Sequence, residues 1–191
     1  MSYNFFAYLS RMRYIGRWSL MRNALPENIQ EHSHMVAVIA HALGIIRRDV
    51  LGVPCNPEEY AAVALYHDCS EILTGDLPTP VKYYNPEIKK AYKQVERVSG
   101  EKLLAMLPEE LRAGMAPLIF EDDPVSHDIV KAADKLSAHI KCIEELKAGN
   151  LEFTSAAEQT RRALVEMELP ELNWFLEHCL DSFGKNLDEL E

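Results

Sequence analysis

Residues 65–84 read LYHDCSEILTGDLPTPVKYY, and three ionisable groups, His67, Asp68 and Glu71, stand in the apolar part of that stretch. A helix packed into a core gains nothing from such groups unless something charged stands opposite them. On a helical reading His67 and Glu71 lie one turn apart, and Asp68 and Glu71 are spaced i, i+3. All three can then face one cavity. Gly75 stops that helix, and Pro78, Pro80 and Pro86 keep the segment DLPTPVKYYNP out of regular helix. The stretch predicts a buried helix that delivers polar chemistry near its end.

Helical periodicity continues on both sides. Asn56 is placed to cap the same helix, with Pro57 at its first position and Glu58 and Glu59 in its first turn. Before it, NIQEHSHMVAVIAHALGIIRRDV at 28–50 reads as a long buried helix starting near Pro26–Asn28. Asn4 to Ile15 reads as a first helix, and GRWSLMRNALPEN at 16–28 as the link between the two. Downstream, helices are predicted over 86–108, over 108–123 and over 125–150, the last closed by Gly149–Asn150. Residues 153–190 add one or two more, broken near Pro170. No segment alternates for long with period two, and no repeat or linker appears. The prediction is an all-α chain forming a single domain over residues 1–191.

Composition narrows the function. With 48% apolar residues in 191, the chain closes a sizeable core and is not a disordered tail. A formal net charge of −10 argues against nucleic acid polymers and anionic membrane surfaces as partners. A small anionic substrate then requires local cationic groups or a metal. Charges or His break every apolar run well short of the roughly 20 residues that span a bilayer. The start, MSYNFFAYLSRMR, lacks a secretory apolar region followed by a cleavage site. Cys55, Cys69, Cys142 and Cys179 form no C-x-x-C pair, which fits reduced thiols. A soluble, cytoplasmic protein is expected.

Imidazole nitrogen and carboxylate oxygen suit zinc, manganese, iron or cobalt. The adjacent His67 and Asp68 cannot complete a coordination sphere, so other helices must contribute. His32 and Asp134, each polar among apolar neighbours, are the candidates. A lone helical His is ordinarily satisfied in a core or at the surface, and an Asp in AADKL can cap a helix or pair with Lys. Agreement of four such residues on three apolar helices carries the reading. His34, His41, His127, His139 and His178 read as structural or surface residues.

The H…HD…D pattern on helices resembles the HD-domain superfamily of metal-dependent phosphohydrolases. EHS at 31–33, YHDCSEILTGDLPTPVKYY at 66–84 and KAADKLSA at 131–138 resemble its bacterial 5′-deoxynucleotidase branch, the YfbR type. FFAYLSRMRYIGRWSLMRN at 5–23 and LPEELRAGMAPL at 107–118 extend the resemblance over nearly the whole chain, and the D-L-P-T-P run is its most discriminating element. The resemblance implies a single HD-domain helical bundle in which His32, His67, Asp68 and Asp134 ligate one divalent cation, such as cobalt, manganese or zinc. It implies Glu71 as the catalytic carboxylate. It also places Arg17, Trp18, Asp76, Leu77, Pro78 and Thr79 against a deoxyribonucleoside 5′-monophosphate, and it implies a homodimer. Superfamily members with two metals use further His ligands between the HD pair and the final Asp, where this sequence offers only His127.

Two imidazoles and two carboxylates bring the formal charge of such a site near zero. A cation there polarises a phosphoryl oxygen and lowers the pKa of its water, from 15.7 towards about 7 for zinc in favourable sites. Glu71, kept out of the ligand set, is then available to take the water's proton. Arg17 has the planar geometry to grip two phosphate oxygens. Asp76 and Thr79 are expected to meet sugar hydroxyls, and Leu77 or Pro78 to exclude a 2′-OH. Lys82 reads as a solvated flank. Two rival readings are an HD phosphohydrolase of nucleoside triphosphates or guanosine polyphosphates, and a non-catalytic nucleotide sensor.

Overall fold

Asn28 starts the central helix. Its side chain accepts the Gln30 and Glu31 N–H groups, each at 3.0 Å, while the Glu31 carboxylate reaches back to the Asn28 N–H at 3.4 Å. This reciprocal cap satisfies donors that a first helical turn leaves without partners. The computed structural model describes residues 2–82, 84–121 and 123–190, with the backbone alone for residues 79 and 80. The helix α1 (Phe5–Leu9) runs into a 3-10 turn over Ser10–Tyr14, and α2 (Ile29–Ile45) into a π-turn over Ile46–Val50. Then follow α3 (Pro57–Tyr66), α4 (Glu71–Thr74), α5 (Thr79–Lys82), α6 (Pro86–Ala105) and α7 (Glu109–Phe120). The last three helices are α8 (Pro124–Lys147), α9 (Thr154–Glu166) and α10 (Pro170–His178). Among the described residues there is no strand, only an isolated bridge between Gly16 and Asn28. The fold is all-α, as the sequence predicts.

Two groups of buried side chains hold these helices. The larger joins α2, α3, α8, α9 and α10 around Val36, Leu43, Val63, Leu136, Leu164 and Leu172. The smaller packs Phe5, Cys69, Leu103, Leu107 and Ile119. Helices α2 and α3 approach closely because residue 44 has no side chain, and a Cβ on Gly44 would lie 2.8 Å from the Pro57 Cα.

The structure departs from the predicted elements in four places. The helix expected over residues 57–74 is broken at 67–70, where the Cys69 N–H bonds the Tyr66 carbonyl at 2.9 Å and the Glu71 N–H bonds that of Asp68 at 3.0 Å. These i→i−3 bonds wind the chain more tightly than an α-helix. The tighter winding turns Cys69, 1% exposed, into the smaller core. His67 and Glu71 are therefore not neighbours on a regular helix. The first predicted helix tightens to 3-10 after Leu9. Residues 79–82 form one helical turn, which Pro80 permits because a first-turn N–H has no helical partner to lose. Asn56 stands at the cap position of α3 but makes no capping bond there.

A buried carboxylate ties the 16–28 link to α8. Glu145 is fully buried and accepts the Ala24 N–H at 2.8 Å, the Leu25 N–H at 2.9 Å and the Asn150 amide at 2.7 Å. The Lys141 ammonium, one helical turn away, donates to the Glu145 carboxylate and to the Leu25 carbonyl. Burial favours the neutral acid, but Lys141 and the backbone N–H groups outweigh it and hold the Glu145 carboxyl down to about 2. A carboxylate with a depressed folded pKa stabilises the fold fully above its unfolded pKa. That contribution is lost as pH falls from about 4 towards the folded value. Glu145→Ala strands the Lys141 charge and two backbone donors, so unfolding free energy at neutral pH should drop by roughly 3 kcal/mol. Denaturant titration of both proteins, repeated near pH 3, measures the loss and its narrowing in acid.

Candidate metal and nucleotide site

Three elements bring the predicted cluster together. The first turn of α2 supplies His32, the 67–70 break supplies His67 and Asp68, and the middle of α8 supplies Asp134. His32 Nε2 lies 3.0 Å from Asp134 Oδ1 and 3.7 Å from Asp68 Oδ2, and His67 Nε2 lies 3.1 Å from Asp68 Oδ2. The ligand atoms of His32, His67 and Asp68 all fall within 4.8 Å of one another. The two imidazole rings are 5.5 Å apart.

The outer nitrogens of both rings are tied down. His67 Nδ1 lies 2.7 Å from the Ala64 carbonyl, so that nitrogen donates and the Nε2 lone pair of the neutral ring faces the cluster. His32 Nδ1 meets the Ser137 hydroxyl at 3.2 Å. Although His67 Nε2 is close to Asp68, it is buried and makes no well-directed hydrogen bond. His32 Nε2 bonds Asp134 Oδ1 while His67 Nε2 is left without a partner, and such convergent nitrogen and oxygen donors suit a common cation. Burial disfavours charge throughout, yet the opposed charges prevail. Asp68, beside His67 and His32, is held down to about 2, and Asp134 is lowered by the His32 hydrogen bond. Burial would lower the His67 pKa, but Asp68 and then Asp134 push it up to about 10. The carboxylates that favour a positive charge on His67 equally favour a dication in the proton's place.

Glu71 opens α4 and is 6% exposed, with Oε2 buried and unpartnered. Burial, reinforced by the charges of Asp68 and Asp76, pushes its carboxyl up to about 9 against the pull of Arg17 and Lys82. Arg17 and Trp18 enter from the link before α2. Arg17 Nη1 approaches Asp68 Oδ2 at 3.4 Å, and Trp18 packs on Phe153 with ring centres 5.3 Å apart. Burial pushes the Asp76 carboxyl up, against the pull of Arg17. Gly75, at φ +74, turns the chain out of α4 to deliver Asp76, Leu77 and Pro78, all part-buried. Thr79 begins α5, and its side chain lies outside the described structure.

Several side chains sit differently from their sequence reading or carry no signal there. Lys82 is not a solvated flank, since it pairs with Glu96 at 2.7 Å and lies 4.8 Å over the Tyr92 ring. Of the remaining histidines, His127 pairs with Glu121, His139 with Thr160 and His178 with the Trp174 carbonyl. Glu27 binds both Arg17 and Trp18 and is absent from the sequence reading. Its one available hint is its place directly before the α2 cap.

The bundle and its His, His-Asp and Asp arrangement define a class, the HD-domain phosphohydrolases. An HD-domain phosphohydrolase from Listeria innocua superposes with a TM-score of 0.82 at 25% identity, covering 94% of this chain and 88% of that one. A cyanophage S-2L HD phosphohydrolase, solved with dA and one catalytic Zn²⁺ ion, shares the fold at TM-score 0.64 and 24% identity over 92% of this chain and 96% of its own. Within the class, the family model described as 5′-deoxynucleotidase YfbR-like matches residues 4–183, and the chain belongs to that family. A 5′-deoxynucleotidase of Vibrio parahaemolyticus is 50% identical over 98% of this chain and 97% of its own length. One from Erwinia tasmaniensis is 49% identical over 98% and 96%.

Proposed function

We infer that the protein is a 5′-deoxynucleotidase, which hydrolyses deoxyribonucleoside 5′-monophosphates to the deoxyribonucleoside and phosphate. Family membership over nearly the whole chain supports the reaction, and the convergence of His32, His67, Asp68 and Asp134 supports its metal dependence. Those four residues would hold one divalent cation. Such an ion supplies Lewis acidity towards phosphoryl oxygen and an acidified water. A catalytic Zn²⁺ in the phage neighbour is consistent with this assignment.

The chain's own groups account for the rest of the chemistry. Glu71, outside the ligand set and with Oε2 buried and unpartnered, takes the water's proton in its carboxylate form as the water attacks phosphorus. The bond from phosphorus to the 5′ oxygen breaks, and the gathered proton balances the one that oxygen needs. Arg17 presents its Nη edge to the phosphate, since its Nε–H is already committed to Glu27. Trp18 walls the nucleoside, Asp76 and Thr79 meet the sugar, and Leu77 or Pro78 crowds its 2′ position. Arg17→Ala should reduce kcat by about tenfold to a hundredfold with a smaller change in KM. Steady-state kinetics on a deoxyribonucleoside monophosphate tests this, and an unaltered kcat returns Arg17 to a structural role.

The proposal extends to a single HD domain over residues 1–191, a homodimer and a cytoplasmic location. Exposed Val95 and Val98 on α6 offer apolar surface for a second copy, and four free cysteines fit a reducing compartment. Among the described residues no helix is long and apolar enough to cross a membrane. The deciding experiment measures product release from deoxy- and ribonucleoside mono-, di- and triphosphates, after chelation and again after metal is restored. Phosphate from deoxyribonucleoside monophosphates, lost with chelator and regained with metal, is the expected result. Release of tripolyphosphate alone would overturn it.

A further inference from the structure

We infer that Glu27 is a positioning residue, which sets Arg17 and Trp18 in fixed register with the His32 helix. One oxygen serves both side chains: Glu27 Oε2 accepts the Arg17 Nε–H at 3.1 Å and the Trp18 Nε1–H at 3.2 Å. The backbone repeats the tie. The Arg17 N–H donates to the Glu27 carbonyl at 2.9 Å, and the Ile29 N–H to the Ile15 carbonyl at 3.0 Å. Glu27 directly precedes Asn28, the cap of the helix whose first turn carries His32. Movement of the Arg17–Trp18 pair relative to His32 must therefore break charge-assisted bonds or undo the start of α2.

The local geometry requires such a clasp. Trp18 has φ +58, a left-handed conformation that a residue with a side chain keeps only when its surroundings impose it. The Arg17 and Glu27 side chains are 13% and 17% exposed, so little water competes for their bond. By occupying the Nε edge of the guanidinium, Glu27 turns the Nη edge towards Asp68, 3.4 Å away. A phosphate held beside Asp68 meets that edge. The inference rests on the proposed substrate roles of Arg17 and Trp18, and it adds the group that makes those roles geometrically possible.

A double-mutant cycle on the full chain tests this, with Glu27→Ala, Arg17→Ala and the pair, and with Glu27→Gln as the isosteric control. Metal content and thermal midpoint are followed in each variant. Glu27→Ala should lower kcat/KM by about thirtyfold, and Glu27→Gln by less, with metal content unchanged. In the Arg17→Ala background the further loss should be at most about twofold, because the clasp then has only Trp18 left to orient. Acrylamide quenching of Trp18, read in a Trp174→Phe background, should rise in Glu27→Ala. Should the alanine variant fold poorly, the cycle built on Glu27→Gln gives the same comparison. Impaired Arg17→Ala beside wild-type Glu27 variants overturns the inference and leaves the reading of Arg17 intact. Equal losses from Glu27→Ala in both backgrounds overturn it as a merely structural effect. A silent Arg17→Ala removes the parent reading, and this inference falls with it.

Discussion

Glu71→Gln should lower phosphate release by about three orders of magnitude while metal content and nucleotide affinity stay near those of the wild type. The substitution keeps the shape of a side chain that is 6% exposed, so the surrounding packing is undisturbed. It removes only the ability of Oε2 to gain and lose a proton. That oxygen is buried without a hydrogen-bond partner. Burial and the nearby Asp68 and Asp76 raise its proton affinity. A group in such surroundings is costly to keep unless the reaction uses it. The sugar and phosphate contacts proposed for other residues do not pass through it, so binding should survive. Single-turnover kinetics together with equilibrium nucleotide binding separates the two effects, and turnover at the wild-type rate would remove Glu71 from the chemistry.

Asp68→Asn should empty the site of metal. Asp68 Oδ2 stands 3.1 Å from His67 Nε2, 3.7 Å from His32 Nε2 and 3.4 Å from Arg17 Nη1, so one oxygen meets both proposed imidazole ligands and the arginine proposed to grip phosphate. Asparagine preserves the volume but removes the charge that favours a dication and presents a neutral amide in its place. Metal affinity should fall by at least about a hundredfold, since even partners of ligands are worth ten- to a hundredfold. Activity at limiting metal should vanish with it. Elemental analysis after gel filtration reads the stoichiometry directly. A variant with as much bound metal as the wild type would exclude Asp68 as a ligand.

The sequence disclosed most of this arrangement through local chemistry. Asn28 with Glu31 marked the start of α2, Gly75 the end of α4 and Gly149 the end of α8, because caps depend on residues close in the chain. The break at 67–70 stayed hidden for a physical reason. Tyr66, Cys69 and Ile72 recur at helical spacing, yet they serve a second core whose position only the tertiary fold fixes. Lys82 was misread because its partners, Glu96 and Tyr92, belong to another helix. Glu27 and Glu145 were invisible for the same reason. Each is one acidic residue among many until a distant segment supplies its donors. The proposed metal ligands were legible because a His-Asp pair in an apolar run conflicts with burial and so demands a partner.

The central claim is that His32, His67, Asp68 and Asp134 share one divalent ion. Anomalous diffraction from crystals grown with cobalt or manganese locates that ion without reference to activity. The account predicts one strong peak per chain, about 2.0–2.3 Å from His32 Nε2, from His67 Nε2 and from a carboxylate oxygen of each aspartate. A peak elsewhere, or none between those four side chains at saturating metal, would contradict it.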